Sequence, residues 1–227
     1  QSEPFAAFLV TLSLHHPYES FPESLQSLDM GELQGTQLGN FLHAMHYFDR
    51  ALESFVEDLR RRGLLDRTVL LVFGDHVAQL EETPQMLAHS GVDAWSPATP
   101  TRSRRVAAFV WGPGLEGTID RVGGQIDLGA TALHLLGVPA PPAFIGRPLV
   151  ERGPGFAALA GGSAVSDDRM YVVSGRDIGR EGACFDHPSG GSRPLADCRA
   201  LAEQAARELA VSRRVLDHDL FRVLPAE

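Results

Sequence analysis

The stretch QLGNFLHAMHYFDRALESFVEDLRRRGLLDRTVLLVFGDH, residues 37–76, decides the fold. Through Arg62 its apolar residues recur at three- and four-residue steps, which is the period of an amphipathic helix. Gly63 is well placed to end that helix. The run TVLLVF, residues 68–73, has the unbroken apolar character of a buried strand. The stretch therefore predicts a long helix and then a strand that runs straight into Gly-Asp-His.

The flanking segments extend this pattern in both directions. FAAFLVTLSL, residues 5–14, predicts a strand buried on both faces, so residues 5–73 read as a strand-helix-strand unit with parallel strands and a right-handed crossover. VAAFVW, residues 106–111, predicts a third strand, and GQIDLGATALHLLG, residues 124–137, a short apolar helix. We predict an α/β fold with a mostly parallel sheet flanked by helices.

The composition changes after Pro139, where a passage rich in Pro and Gly begins. A short strand at 170–174 and an amphipathic helix at about 195–215 predict a smaller C-terminal α+β part. The predicted domains are residues 1–150 and residues 151–227. Cys184 and Cys198 lie close together there, and the sequence leaves open whether they form a disulfide or remain thiols.

Charge and hydropathy exclude several classes of protein. The formal net charge is −9, which argues against a nucleic-acid partner, because such proteins need a basic face. All 20 basic residues are Arg, a side chain suited to bidentate contacts with phosphate or sulfate. No apolar run approaches the ~20 residues that span a bilayer.

Two ionisable clusters follow predicted strands. Ligands of open parallel sheets bind beyond the carboxyl ends of the strands, where His15-His16 and Asp75-His76 both stand. We expect these clusters to share one rim. A carboxylate and an imidazole suit Zn or Mn, although a turn Asp beside a solvated His would give the same pair of letters.

Four segments resemble lipoteichoic acid synthases, within the alkaline phosphatase and sulfatase superfamily. They are LVTLSLHHPYE, YFDRALESFVEDLRRRGLLDRTVLLVFGDH, RVAAFVWGPGLEG and GQIDLGATALHLLGV, in order within about residues 4–150. The resemblance implies that Asp75 and His76 are ligands of one divalent metal, Mn in the first place and Mg or Zn as alternatives. It implies that His15 contacts the phosphate or glycerol of the substrate, while His16 stands where the family usually has an aromatic residue.

The resemblance also bears on what this chain lacks. The Thr nucleophile and a Glu ligand of that family precede the equivalent of Phe5, so we expect no catalytic nucleophile in this chain and little metal binding or turnover from it alone. The parent protein is expected to be membrane-anchored upstream and to act outside the cytoplasm, in the periplasm or at the outer face of the plasma membrane. Its substrate would be a phosphoglycerol lipid or another phosphate or sulfate ester.

Several alternatives stay open. The parent could be a sulfatase or phosphatase of a soluble ester, or the chain could be a non-catalytic binding module. His43, His46 and Asp49 share one helix at three-residue steps, but we interpret them as a solvated face. His89 is a candidate secondary ligand, while His134 and Asp127 are interpreted as a packed helix residue and a helix N-cap.

Overall fold

The computed structural model describes residues 4–81, 83–89, 105–175, 178 and 180–223. Its helices are α1 (Gln37–Arg61), α2 (Pro84–His89), α3 (Ile126–Leu135), α4 (Arg199–Asp217) and α5 (Leu220–Val223). Its strands are β1 (Leu70–Phe73), β2 (Ala108–Trp111), β3 (Phe156–Ala158), β4 (Ala164–Ser166), β5 (Arg169–Val173), β6 (Gly182–Asp186) and β7 (Ser192–Arg193). Short 3-10 helices lie at Tyr18–Ser20, Glu23–Leu25, Gly31–Leu33, Leu65–Arg67 and Leu195–Cys198. Of the helices in these ranges, none is both long enough and apolar enough to cross a membrane.

The chain divides into two compact units. One comprises residues 1–67 and 76–94, and the other residues 68–75 and 95–227. The domain boundary predicted from composition, between residues 150 and 151, stays a prediction.

Helix α1 dominates the first unit and confirms the predicted amphipathic helix. Thr36 caps its start, since the Gly39 N–H donates to Thr36 Oγ1 at 3.0 Å. Just beyond its end Gly63 adopts a φ of +64°, a left-handed conformation that glycine takes without steric cost. The buried part of the helix lies in its first two turns, where the ring of Phe41 meets the ring of Tyr18 at 5.2 Å.

The strand predicted at Phe5–Leu14 is wrong. These residues have no strand conformation, and their large apolar side chains are exposed, with Phe8 79% accessible. An apolar run indicates a preference for burial, but a strand also needs a neighbour that accepts and donates its backbone hydrogen bonds. Among the described residues, no strand pairs with this segment.

The predicted parallel pairing of the first two strands is therefore also wrong. In the second unit β1 pairs with β2 in antiparallel register, with Leu70 opposite Trp111 and Phe73 opposite Ala108. The predicted strands at 68–73 and 106–111 are both confirmed. The strand pairs in the described ranges are all antiparallel.

The C-terminal part has the predicted α+β character. Strands β3 to β7 form an antiparallel sheet in simple sequence order, and α4 packs on β3, β4 and β5. Small residues of α4 let the helix approach the sheet, and the shared core consists of Phe156, Ala164, Tyr171, Cys184, Cys198, Leu201, Ala202 and Ala205. Cys184 of β6 and Cys198 at the start of α4 form a buried disulfide, which decides the question that the sequence left open.

Candidate functional site

The Gly-Asp-His segment directly follows β1, as the sequence predicts. Gly74 continues the pairing of the sheet, because its N–H donates to the carbonyl of Ala107 at 3.0 Å. Asp75 and His76 come next, and both side chains are exposed to solvent. Two side chains able to bind a metal therefore stand where an ordered strand ends.

A glutamine amide holds the backbone of this strand end. Gln125 Nε2 donates to the carbonyl oxygen of Gly74 at 2.7 Å and to that of Asp75 at 2.6 Å. Both partners are acceptors only, so they identify this atom as the amide nitrogen and not the amide oxygen. Sequence analysis assigns no role to Gln125, because no local pattern relates it to residues about fifty positions earlier.

His76 is oriented by its own neighbour in the chain. Its Nδ1 lies 2.9 Å from the carbonyl oxygen of Val77. A proton on Nδ1 makes this a hydrogen bond and leaves the lone pair on Nε2. Imidazole binds metals through such a lone pair, and a backbone carbonyl is a usual partner for the other nitrogen.

Asp127 anchors the helix that carries Gln125. Its Oδ2 accepts from the Gly124 N–H at 2.9 Å and its Oδ1 from the Arg147 N–H at 2.8 Å. The prediction that Asp127 is an N-cap is wrong, since Gln125 occupies the cap position and Asp127 lies inside the first turn. With 4% of its surface exposed, Asp127 is a structural carboxylate that joins two loops.

His15 lies in the loop between the exposed segment 5–14 and α1. Its Nδ1 contacts the backbone oxygen of His16, and its ring is exposed. The next aromatic positions are packed, because the rings of His16 and Tyr18 meet edge to face at 5.8 Å. The sharing of one pocket by His15, Asp75 and His76 stays a prediction.

Tyr18 is the side chain that ties this loop to its unit. It is buried, and burial raises the pKa of its phenol above the ordinary value, although a hydrogen bond with the backbone of Gln79 lowers it in part. Burial therefore makes ionisation of the Tyr18 phenol harder in the folded unit than in the unfolded chain.

The secondary candidates lie in different surroundings, and the role of His89 as a secondary ligand stays a prediction. His43 is only 2% exposed, so the solvated face predicted for it is wrong, and neither ring nitrogen has a hydrogen-bond partner among the described atoms. His89 Nδ1 lies 2.8 Å from the Gln85 carbonyl of its own helix. His134 is exposed and lies 3.3 Å from Glu151, so its predicted packing is wrong. Among the described residues, no group of three or more His, Cys, Asp or Glu side chains is arranged to hold a metal.

Comparison with known proteins decides the family. The Sulfatase family model matches residues 1–138, which is more than half of the chain. The chain belongs to the sulfatase family. The matched region includes the Gly-Asp-His segment, the loop with His15 and the helix that carries Gln125.

Individual relatives are lipoteichoic acid synthases and proteins similar to them. The chain is 29% identical to the lipoteichoic acid synthase-like YvgJ of Bacillus subtilis, over 97% of this chain and 36% of that protein. It is 27% identical to the lipoteichoic acid synthase of Staphylococcus saprophyticus, over 98% of this chain and 34% of that protein. The resemblance seen in the sequence is confirmed, and this sulfatase-family chain spans about a third of the length of these relatives.

Solved structures confirm the α/β class of the fold. The lipoteichoic acid synthase LtaP of Listeria monocytogenes superposes with a TM-score of 0.78 at 26% identity, over 91% of this chain and 52% of that one. A protein of the alkaline phosphatase superfamily from Vibrio parahaemolyticus superposes with a TM-score of 0.61 at 22% identity, over 90% of this chain and 48% of that one. The latter likeness shows the fold alone.

Proposed function

We propose that this chain is the metal-ligand-bearing part of a phosphoglycerol transferase or phosphate-ester hydrolase of the lipoteichoic acid synthase type. The observation that carries the proposal is the placement of Asp75 and His76 in the Gly-Asp-His segment that follows β1, within the residues that match the sulfatase family. The LtaP likeness, which extends over most of the chain, supports the substrate class.

Asp75 and His76 would hold one divalent metal ion. Carboxylate oxygen and imidazole nitrogen are usual donors to divalent metals. The resemblance to lipoteichoic acid synthases favours Mn²⁺, with Zn²⁺ or Mg²⁺ as alternatives. A bound transition metal takes about four donors, so two adjacent residues fit as part of a site and not as all of it. When bound, such an ion would lower the pKa of a hydroxyl nucleophile and neutralise charge that develops on phosphorus-bound oxygens.

The other chemistry divides between this chain and the rest of the parent protein. His15, on an exposed loop, would hold the phosphate or glycerol of the donor, or protonate the leaving oxygen. The nucleophile is proposed to lie in the part of the relatives that this chain does not cover, as the resemblance to lipoteichoic acid synthases implies. The chain alone should therefore turn over little substrate.

The disulfide supports a place outside the cytoplasm. Structural disulfides persist in oxidising compartments and are rare where glutathione keeps thiols reduced. The bond between Cys184 and Cys198 fits the periplasm or the outer face of the plasma membrane, where a membrane-anchored parent would meet a phosphoglycerol lipid.

Metal binding is the first test. Titration of Mn²⁺ into the chain, followed by electron paramagnetic resonance, should show weak binding that Asp75→Asn and His76→Gln each weaken by about tenfold or more. His218→Gln, at the exposed end of α4, is the matched control and should bind as the wild type does. Equal binding by all four proteins would refute the metal assignment and favour a non-catalytic module.

A sulfatase-like hydrolase of a soluble ester is the second candidate, favoured by the match to the Sulfatase family model. A full-length protein containing this chain should be assayed with lipid-linked glycerophosphate, an aryl phosphate and an aryl sulfate. We expect transfer from the lipid-linked donor to be fastest. Faster turnover of either soluble aryl ester would replace the transferase with that hydrolase.

A further inference from the structure

The two hydrogen bonds from Gln125 fall on the two peptide planes that flank one residue. The carbonyl of Gly74 belongs to the plane that enters Asp75, and the carbonyl of Asp75 belongs to the plane that leaves it. Because peptide units are planar, restraining the carbonyls of both planes restrains φ and ψ at Asp75 and with them the direction of its Cα–Cβ bond. Both hydrogens of one amide nitrogen are used, which is the full donor capacity of that group.

The backbone next to Gln125 is held in place by the carboxylate of Asp127. Directly before it, the N–H of Gly124 is bound by the buried Asp127, which also binds the N–H of Arg147. Asp127 therefore prevents the start of α3 from moving independently of the loop around residue 147. A side chain on such a base positions its partner more firmly than a side chain on an unanchored loop.

The C-terminal sheet also contacts the loop that leads into Gln125. Asp167, in the turn between β4 and β5, accepts from the Val122 N–H at 2.8 Å through Oδ1. Its Oδ2 accepts from the Gly155 N–H at 2.7 Å. The loop that leads into Gln125 is thereby bound to residues beyond position 150, for which the sequence suggested no role.

We propose that Gln125 is a positioning residue that sets the direction of the Asp75 carboxylate, with the C-terminal sheet as its support through Asp167. The inference rests on the proposed function, in which Asp75 is a metal ligand. It assigns to the C-terminal part the task of holding one metal ligand in place, while Gln125 itself touches neither metal nor substrate.

Gln125→Met tests this inference, because it keeps the length of the side chain and removes both donors. The control is Gln204→Met in α4, whose amide, among the described residues, donates to Glu208 of the same helix. Amide hydrogen exchange of Gly74, whose N–H bonds to Ala107, reports on the strand end, and Mn²⁺ titration reports on the ligand. Both are measured well below the melting temperature of every variant, so that global unfolding contributes to neither.

We expect Gln125→Met to speed Gly74 exchange and to weaken Mn²⁺ binding by about tenfold, as loss of an outer-shell partner does at other metal sites. Gln204→Met should change neither. If the wild type binds Mn²⁺ through Asp75 and Gln125→Met binds it equally well, the positioning role is overturned and the metal assignment stands. If Asp75→Asn does not weaken Mn²⁺ binding, the metal assignment fails and the inference fails with it.

Discussion

Removal of the disulfide is the perturbation with the most direct structural estimate of its effect. Cys184 and Cys198 are separated by 14 positions, and the bond ties β6 to the start of α4 in the core of the C-terminal sheet. Closing a loop of this length lowers the entropy of the unfolded chain by an amount worth about 3 kcal/mol at 25 °C. The double variant Cys184→Ala, Cys198→Ala should lose that much stability.

Urea unfolding and thermal melts both measure this loss. For a unit of this size, a loss of about 3 kcal/mol corresponds to a melting temperature lower by ~6–12 °C. The slope of free energy against urea should rise, because an unfolded chain without the cross-link exposes more surface. Wild type that is unfolded, reduced with a phosphine and refolded under reducing conditions should melt with the double variant. Because both sulfurs are buried, reduction of the folded protein should be slow.

A double variant whose free energy of unfolding lies within about half a kcal/mol of that of the oxidised wild type would contradict the loop-closure estimate. So would reduced wild type that is as stable as the oxidised protein. Either result would mean that the cross-link does not constrain the unfolded chain as loop closure requires.

Three further substitutions test other contacts. Asp167→Ala removes the acceptor of two backbone N–H groups. The free energy of unfolding, measured in urea, should fall by about 1–3 kcal/mol. In Gly146→Ala the new Cβ would lie 2.0 Å from the backbone oxygen of Ile126. We expect thermal melts to show that the free energy of unfolding falls by roughly 1–3 kcal/mol. The control is Gly161→Ala, whose new Cβ meets nothing within 4 Å and should leave the melting temperature unchanged. Burial raises the pKa of Tyr18 in the folded protein above its ordinary value of 10.0. The contribution of Tyr18 to the free energy of unfolding is therefore complete below pH 10.0 and is lost as the pH rises toward the pKa of the folded protein. Unfolding curves measured above pH 10.0 should show this loss in the wild type and not in Tyr18→Phe.

Helices and the apolar strands of the second unit could be predicted because their pattern is local. The period of α1, with Thr36 and Gly63 at its ends, requires only neighbours along the chain. Residues 5–14 carry an equally clear apolar run, yet no strand forms there, because strand formation depends on a partner that no local pattern reports.

Strands β3, β4, β6 and β7 escaped prediction for the opposite reason. They are two to five residues long and lie among Gly, Ser and Asp, so their composition resembles that of turns. Their pairing in sequence order, with α4 packed on β3, β4 and β5, makes them a sheet. Strand β5 of this sheet is predictable from its apolar run Met-Tyr-Val-Val, whereas β6, of the same length, contains Gly and Asp.

The candidate site was predictable only in part, because some of its residues belong to a local pattern and others act through contacts that only the fold creates. The place of Asp75 and His76 after a strand could be predicted, because the strand before them is a recognisable apolar run. Their role as metal ligands stays a proposal. Gln125 could not be predicted, since its importance lies in two backbone carbonyls brought to it by the fold. Asp167 is similar, because its two partners come from separate loops.

The exposed apolar side chains of residues 5–12 have a practical consequence for anyone who purifies this chain. Phe5, Leu9 and Leu12 are exposed to solvent along one short segment. Exposed apolar patches of this kind bind molecular chaperones during expression and promote aggregation as samples are concentrated. Dilute handling, mild detergent or a Glu in place of Phe8 should keep preparations monodisperse.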